Sequence, residues 1–406
     1  MARLTYNDVS PILKAMYEQY TGRAVIGNLD FGSMQSVFKT GLANNDDNLY
    51  NAIPTVLART VVATRPYRRK FKGMFWDSQK FGDWVRKFTP IVANQRKTND
   101  EWNIDVELQK EASQQDWKAG TAPVKFDFLL TFVEGGNSYS VKYTLFRNQL
   151  NAAFESAQSL ADFISGQLME LSNQYEIDAE NEARSQICNI ILALADAGKT
   201  APTSGNACSS VQCWHAISEY NSETGLAMTY ETIMQPAAFR EFMIWFSSKL
   251  DVLKDKLTVH SSVFHGNVTG KVVNRHTDSS KLRFYVLTQF ASYFKNNGAA
   301  LYNPQDAKIT DYEETSFWQS ITDADTVKGS AKVLKSDGST LTIPNATVEH
   351  VVGLLTDVDM FGITPIDSWA EAEPANARYG FRNYWNHYTW RQATDFTENA
   401  VLIVMD

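Results

Sequence analysis

The chain has 406 residues, 44% of them hydrophobic and 21% charged, which supplies a sizeable core and excludes a disordered chain. Its net charge of −8 argues against a dedicated nucleic-acid binder. Three cysteines, Cys188, Cys208 and Cys213, are too few and odd in number for a disulfide scaffold and fit a reducing compartment. Apolar runs such as Ile190–Ala195 and Ala400–Met405 fall far short of the roughly 20 residues of a membrane helix. Met1–Ser10 has no apolar signal-peptide core, and no internal repeat is visible.

Charge is unevenly spread. Residues 1–72 hold ten basic and five acidic side chains, leaving −13 on the remainder. The basic excess is concentrated in Arg59, Arg65, Arg68, Arg69, Lys70 and Lys72. Such asymmetry marks either an arm with an acidic or nucleic-acid partner or a solvated segment.

Residues 1–50 read as an irregular arm, with short helical patterns such as Ser10–Gln19 interrupted by Gly22, Gly27, Gly32, Gly41 and Asn44-Asn45-Asp46-Asp47. Residues 51–88 hold short apolar pieces broken by Pro54 and Pro66. From 75 to 122, single aromatics (Phe75, Trp76, Phe81, Trp84, Phe88, Trp102, Trp117) punctuate a polar stretch that includes Gln95–Glu101. Large amphipathic anchors on a polar excursion suit a loop that packs on a neighbouring chain. A hairpin is expected next: Lys125–Val133, a turn at Glu134–Asn137 with Gly135-Gly136, and a return strand Ser138–Phe146 with Tyr139, Val141, Tyr143 and Leu145 on one face.

The strongest periodicity runs over residues 156–197. Leu160, Phe163, Ile164, Leu168, Leu171 and Tyr175, then Ala179, Ala183, Ile187, Ile190, Ile191 and Leu194, step by three or four. This predicts one helix near 60 Å long. Its acids Glu176, Asp178, Glu180 and Glu182 read as a solvated face. After a Ser/Thr/Gly/Asn-rich loop over 199–225, a helix is predicted at Thr229–Leu250, strands at Leu257–Phe264 and Leu282–Leu287, and a helix at Gln289–Lys295. A strand follows at Ile309–Thr315, then a hairpin over Val327–Thr342 turning at Asp337-Gly338, and a buried strand at Val351–Leu355. The alternation indicates an α/β or α+β second domain. The tail alternates Tyr379, Phe381, Tyr384, Trp385, Tyr388 and Trp390 before the strand Ala400–Val404.

No phosphate-binding or dinucleotide glycine motif, nucleophile elbow or His-Glu-x-x-His pair is present. His260 and His265, five apart on the predicted strand, face opposite ways. Cys208 and Cys213 near His215 lack the second ligand pair a zinc site needs. Asp357 and Asp359 follow a buried strand, where catalytic acids occur, and Glu313-Glu314 is placed similarly.

The order of parts resembles the major capsid proteins of tailed phages with the Hong Kong 97-type fold: basic arm, long Trp-bearing loop ending in a hairpin, very long helix, α/β domain and returning aromatic strand. Asn148–Phe154 with Phe163-Ile164 is similar to the loop-to-spine junction of phi-29-like short-tailed phages. So is Tyr384-Trp385-Asn386-His387-Tyr388-Thr389-Trp390, followed at Glu398-Asn399-Ala400-Val401 by the last strand. Leu282–Lys295 looks like a matching piece of the axial domain.

The resemblance implies an α+β fold with an N-terminal arm (1–72), an extended loop with β-hairpin (73–150), a peripheral domain with spine helix (151–225), an axial domain (226–365) and a C-terminal return (366–406). It implies a non-enzymatic shell protein of an icosahedral or prolate head around double-stranded DNA, without cofactor or metal, assembled in the host cytoplasm and resident in the virion. Its copies would form hexamers and pentamers with a scaffolding protein and a portal, would touch the packaged DNA weakly, and would need no membrane. Trp102, Trp117, Phe126 and Tyr139 would contact a neighbouring copy, and the basic cluster from Arg59 to Lys72 would face scaffold or genome. Two other readings stay open: an encapsulin-like compartment of the same fold, and a hydrolase using Asp357 or Asp359.

Overall fold

The computed structural model describes residues 69–75, 84–90, 128–134, 137–149, 157–199, 210–266, 274–298, 312–334, 340–374 and 380–406, with isolated positions between 14 and 39. Two compact units emerge. The first comprises Met1–Asp83, Gly135–Ser185 and Gly362–Gln392, and the second Trp84–Glu134, Gln186–Phe361 and Ala393–Asp406.

In the first unit, β3 (Asn137–Phe146), β10 (Phe361–Ala372) and β11 (Phe381–Thr394) form a sheet in the order β10-β11-β3. β11 lies antiparallel to β3 with Tyr384 opposite Tyr143 and Tyr388 opposite Tyr139. Aromatic side chains of β3 and β11 meet in pairs. Tyr143 stacks on Tyr384 at 5.1 Å, and Tyr139 meets Trp390 at 5.3 Å. Tyr175 of α1 (Ala157–Lys199) presents its edge to both Tyr388 and Trp390. Such pairs add about 0.5–1.5 kcal/mol each to the area they bury. Ala179 and Ala183, one helical turn apart, are fully buried; side chains this small let packed elements approach closely.

α1 is the long helix the periodicity predicts. At 43 residues it runs about 65 Å, and its residues from Gln186 onward count with the second unit. There Ile190–Ala195 are buried all round, which explains why the apolar stripe widens into a continuous run.

The second unit is built on a five-stranded sheet in the order β4-β12-β9-β5-β6. The strands are β4 (Cys213–His215), β5 (Leu282–Leu287), β6 (Glu313–Thr315), β9 (Val351–Asp357) and β12 (Ala400–Val404). β9 is antiparallel to both its neighbours, β12 and β5. α2 (Ala216–Thr224), α4 (Pro236–Thr258) and α5 (Thr288–Gly298) supply the aromatic cover. Phe239, Phe242, Phe246 and Leu250 of α4 join Phe284, Val286, Val352, Leu355, Val401 and Ile403 in one core. α3 (Tyr230–Ile233) starts at the Thr229 cap, where Thr229 and Thr232 bond reciprocally. A separate hairpin pairs β7 (Val327–Leu334) with β8 (Thr340–Val348); its expected turn at Asp337-Gly338 lies outside the described residues.

Two expectations are corrected. β2 (Phe128–Glu134) and β3 do not form the hairpin expected around Glu134–Asn137. β2 instead pairs antiparallel with β1 (Trp84–Pro90), Lys87 opposite Thr131, while β3 pairs with β11. The strands exist where alternation put them, but pairing partners are chosen by burial across the whole chain. Leu257–Phe264 is not a strand. Leu257 is the last buried residue of α4, the helix ends at Thr258, and only an isolated bridge at Ser261 follows. The Ile309–Thr315 strand is observed at Glu313–Thr315, with residues 309–311 outside the described set. The arm helix expected at Ser10–Gln19 likewise falls largely outside it.

Gly353 of β9 has no room for a side chain: a Cβ there would lie 2.8 Å from the Phe284 ring and 3.2 Å from the Tyr285 carbonyl. Phe284 is itself buried in the core and cannot swing away. Gly353→Ala is expected to cost about 1–3 kcal/mol by overpacking, read as a lower thermal midpoint in calorimetry, whereas Gly166→Ala, on α1 with open space around it, leaves the midpoint unchanged or higher.

Candidate functional site

Asp357 is buried at the end of β9. It accepts hydrogen bonds from the Thr277 hydroxyl (2.7 Å) and the Asp359 amide (2.8 Å). The Asp359 carboxylate is exposed and pairs with Lys281 at 3.1 Å. Both acids thus serve the turn that follows β9. Glu314 pairs with Lys295. Among the described residues, no group of three or more His, Cys, Asp or Glu is placed to hold a metal ion. His260 and His276 lie 5.8 Å apart as rings. Cys213 is buried as a free thiol, and Cys208 lies outside the described residues.

The acids of α1 are not the solvated face the sequence suggests. Glu176, Glu180 and Glu182 are buried, at 3%, 5% and 9% exposure. Burying a carboxylate costs several kcal/mol unless it is met by charge and hydrogen bonds. Here the partners arrive from about a hundred residues upstream. The Arg69 amide donates to Glu176 (3.2 Å) and the Lys70 amide to Glu180 (3.2 Å). Glu180 also receives both Nε (3.0 Å) and Nη2 (2.6 Å) of Arg184, one turn along the helix. Arg69 lies over the Phe75 ring at 3.7 Å and near Glu176 at 3.9 Å, and Arg184 lies over Phe71. Phe71, just before the short 3₁₀ turn Lys72–Met74, and Met74, its last residue, are buried.

Glu182 accepts a hydrogen bond from the Tyr139 hydroxyl at 2.5 Å. Burial, then the bond to Glu182 and its charge, push the Tyr139 phenol up to about 12. Tyr139, expected on a subunit contact, is therefore held within its own unit by Glu182 and Trp390. Trp102, Trp117, Phe126, Arg59, Arg65 and Arg68 lie outside the described residues, as does the side chain of Lys72.

A second charged cluster, which nothing in the sequence announced, sits at the middle of β1 in the β1–β2 ribbon. The Lys87 ammonium lies 2.7 Å from Glu398, 3.0 Å from Asp395 and 3.1 Å from the Asp359 carbonyl. Glu398 is shared with Arg275 at 3.5 Å, and Arg275 also donates to the Thr397 carbonyl and hydroxyl, each at 3.0 Å. Asp395 turns its other oxygen to the amide (2.9 Å) and hydroxyl (2.6 Å) of Thr397. Burial pulls the Lys87 pKa down, but the charges of Asp395 and Glu398 overcome it and hold it above the usual lysine range. The two acids diverge. Burial, only partly offset by Lys87 and Arg275, lifts Glu398 above the ordinary carboxylate range. At Asp395 burial is outweighed by Lys87 and Thr397, so it stays below that range.

His215, at the end of β4, borders an open groove of about 510 Å³ also lined by Trp214, Ser218, Lys249 and Val401. Its Nδ1 lies 2.5 Å from an Asp406 oxygen. The bond to Asp406, then one to Cys213, lift the imidazole to about 10 against the pull of burial. A raised folded-state value means stability present in full below pH 6.5 and lost as pH rises toward 10. The pair is partly exposed, so its contribution is about 1 kcal/mol or less. In an NMR titration the His215 ring is expected to stay protonated well past pH 7 in the native chain and to lose its proton at a clearly lower pH in D406N.

The family model of Phi29-like phage major capsid protein matches residues 127–404. Among solved structures, the chain is similar to the capsid structure of Staphylococcus phage Andhra, at 11% identity over 86% of this chain and 87% of that one, with a TM-score of 0.48. It is similar at 11% identity to a structure described as head fiber and inner core protein gp22 of native bacteriophage P68, over 86% and 88% of the two chains, with a TM-score of 0.47. The capsid of Cyanophage P-SCSP1u is similar at 9% identity, over 86% and 91%, with a TM-score of 0.42. No curated protein matches the chain.

Proposed function

Because the chain belongs to the Phi29-like phage major capsid protein family and so forms a capsid shell, we propose that its copies meet as hexamers and pentamers in an icosahedral or prolate head around a double-stranded DNA genome. The family match over residues 127–404 carries this reading. The fold is α+β of the Hong Kong 97 type, the role structural, and the place of the protein the virion.

Between Pro90 and Phe128, where the ribbon strands end and begin, the sequence carries Trp102 and Trp117 amid polar residues. In our reading this segment crosses onto a neighbouring copy and its indoles bury there, each worth about 2 kcal/mol or more as a hot spot. Repetition of modest contacts by closed symmetry makes the shell rigid.

The basic residues Arg59, Arg65 and Arg68 are our candidates for facing scaffold or genome. Arg69 is engaged with Glu176 and Phe75 in its own unit. The net −13 outside residues 1–72 suits an inner wall that repels DNA and keeps contacts weak. Assembly in the host cytoplasm, with a scaffolding protein and a portal, completes the reading. No helix among the described residues is long and apolar enough to cross a membrane.

The test is sedimentation of the wild type and of the W102A/W117A variant, each produced with its scaffold. The wild type is expected as particles of megadalton mass. The variant is expected as unassembled subunits with unchanged circular dichroism, and particles at wild-type yield from it would contradict the loop contact.

A further inference from the structure

We propose that Lys87 is a positioning residue for shell assembly: its ammonium, clamped by Asp395 and Glu398, sets the direction in which the β1–β2 ribbon leaves the second unit. The inference rests on the reading that the segment between the two ribbon strands contacts a neighbouring copy.

A two-stranded ribbon is marginal by itself, and among the described residues β1 and β2 pair as strands only with each other. What ties β1 down is chemistry at its midpoint. The Lys87 ammonium forms ion pairs with Glu398 at 2.7 Å and Asp395 at 3.0 Å and donates a hydrogen bond to the Asp359 carbonyl at 3.1 Å. Two carboxylates and a carbonyl together restrict the nitrogen more than a single ion pair does.

The acceptors are themselves held. The Asp395 amide donates to the Met360 carbonyl (2.6 Å), the Glu398 amide to Asp395 (3.2 Å) and the Asp357 amide to Asn399 (2.9 Å). The turn carrying both acids therefore leads straight into β12, whose five residues are all buried in the central sheet. Arg275 anchors Glu398 and Thr397 from the other side.

Stability alone does not account for the arrangement. Apolar side chains of similar size generally stabilise a buried position as well as an ion cluster does. The cluster instead supplies a defined geometry with balanced charge: two cations, Lys87 and Arg275, against two carboxylates, Asp395 and Glu398.

The experiment compares K87M, K87R and the neutral triple variant K87M/D395N/E398Q with the wild type and with W102A/W117A, each produced with its scaffold. Thermal midpoint reports folding, while sedimentation and electron micrographs report particle yield and diameter. K87M leaves buried carboxylates with too little counter-charge, so the triple variant is the one that separates folding from positioning. We expect it to melt within about 5 °C of the wild type while particle yield falls by about tenfold or more or particles become irregular in diameter, with K87R recovering part of the yield. Wild-type yield and diameter from the triple variant would overturn the proposal, as would a collapse of its thermal midpoint that accounts for the lost particles by unfolding. If W102A/W117A assembles normally, the loop reading fails; if it fails to assemble while the triple variant assembles normally, the Lys87 proposal alone is wrong.

Discussion

A charge withdrawn from water must be met by opposite charge or oriented donors, because its desolvation costs several kcal/mol otherwise. Both units of this chain accept that constraint and use it to hold distant segments. In the first unit, Glu176, Glu180 and Glu182 of α1 collect the amides of Arg69 and Lys70, the guanidinium of Arg184 and the hydroxyl of Tyr139. In the second, Asp395 and Glu398 collect Lys87 and Arg275. In the first case the carboxylates belong to a long helix and in the second to the turn before β12, and in each the donors include a segment far away in sequence. Charge is the fastening between core and excursion.

The cores themselves are apolar and need no such devices. Phe239, Phe242 and Phe246 on one face of α4 meet the sheet residues Phe284, Val352 and Val401, and close packing there is tight enough that Gly353 cannot become alanine without displacing a ring. Unit one substitutes aromatic pairs, Tyr143 on Tyr384 and Tyr175 on Trp390. A shell protein gains from this division of labour. Rigid cores keep their shape in every copy, and in our proposal segments pinned by charge are presented in a repeatable direction to neighbours.

What the sequence made legible was local. The α1 stripe, the strands around Leu282–Leu287, Val351–Leu355 and Ala400–Val404, and the aromatic alternation of β11 all announce themselves within ten or twenty residues. What it hid was partnership. β3 alternates as a strand, yet its partner lies some 240 residues on, with Phe146 opposite Phe381, and the nearer strand β2 turned out to belong to β1. Glu176 and Glu180 looked solvated because charged residues on a helix usually are; the distant Arg69 and Lys70 amides, with Arg184 beside Glu180, help to offset the cost of burying them. Lys87 gave no signal at all, since one lysine in Trp84–Pro90 is unremarkable until Asp395 and Glu398 come beside it. Leu257 misled because a helix that ends in an apolar residue and runs into Val259, Val263 and Phe264 reads like a strand.

The central claim is that the segment between β1 and β2 reaches a different copy of the chain rather than its own. Cross-linking within particles assembled from an equal mixture of ¹⁴N- and ¹⁵N-labelled subunits tests this directly, using Lys97, Lys110 and Lys118 of that segment as reporters. The account predicts that their long-range cross-links appear as mixed-isotope pairs, joining two copies. Cross-links from these lysines found only between residues of the same isotope would place the segment back on its own chain and contradict the claim.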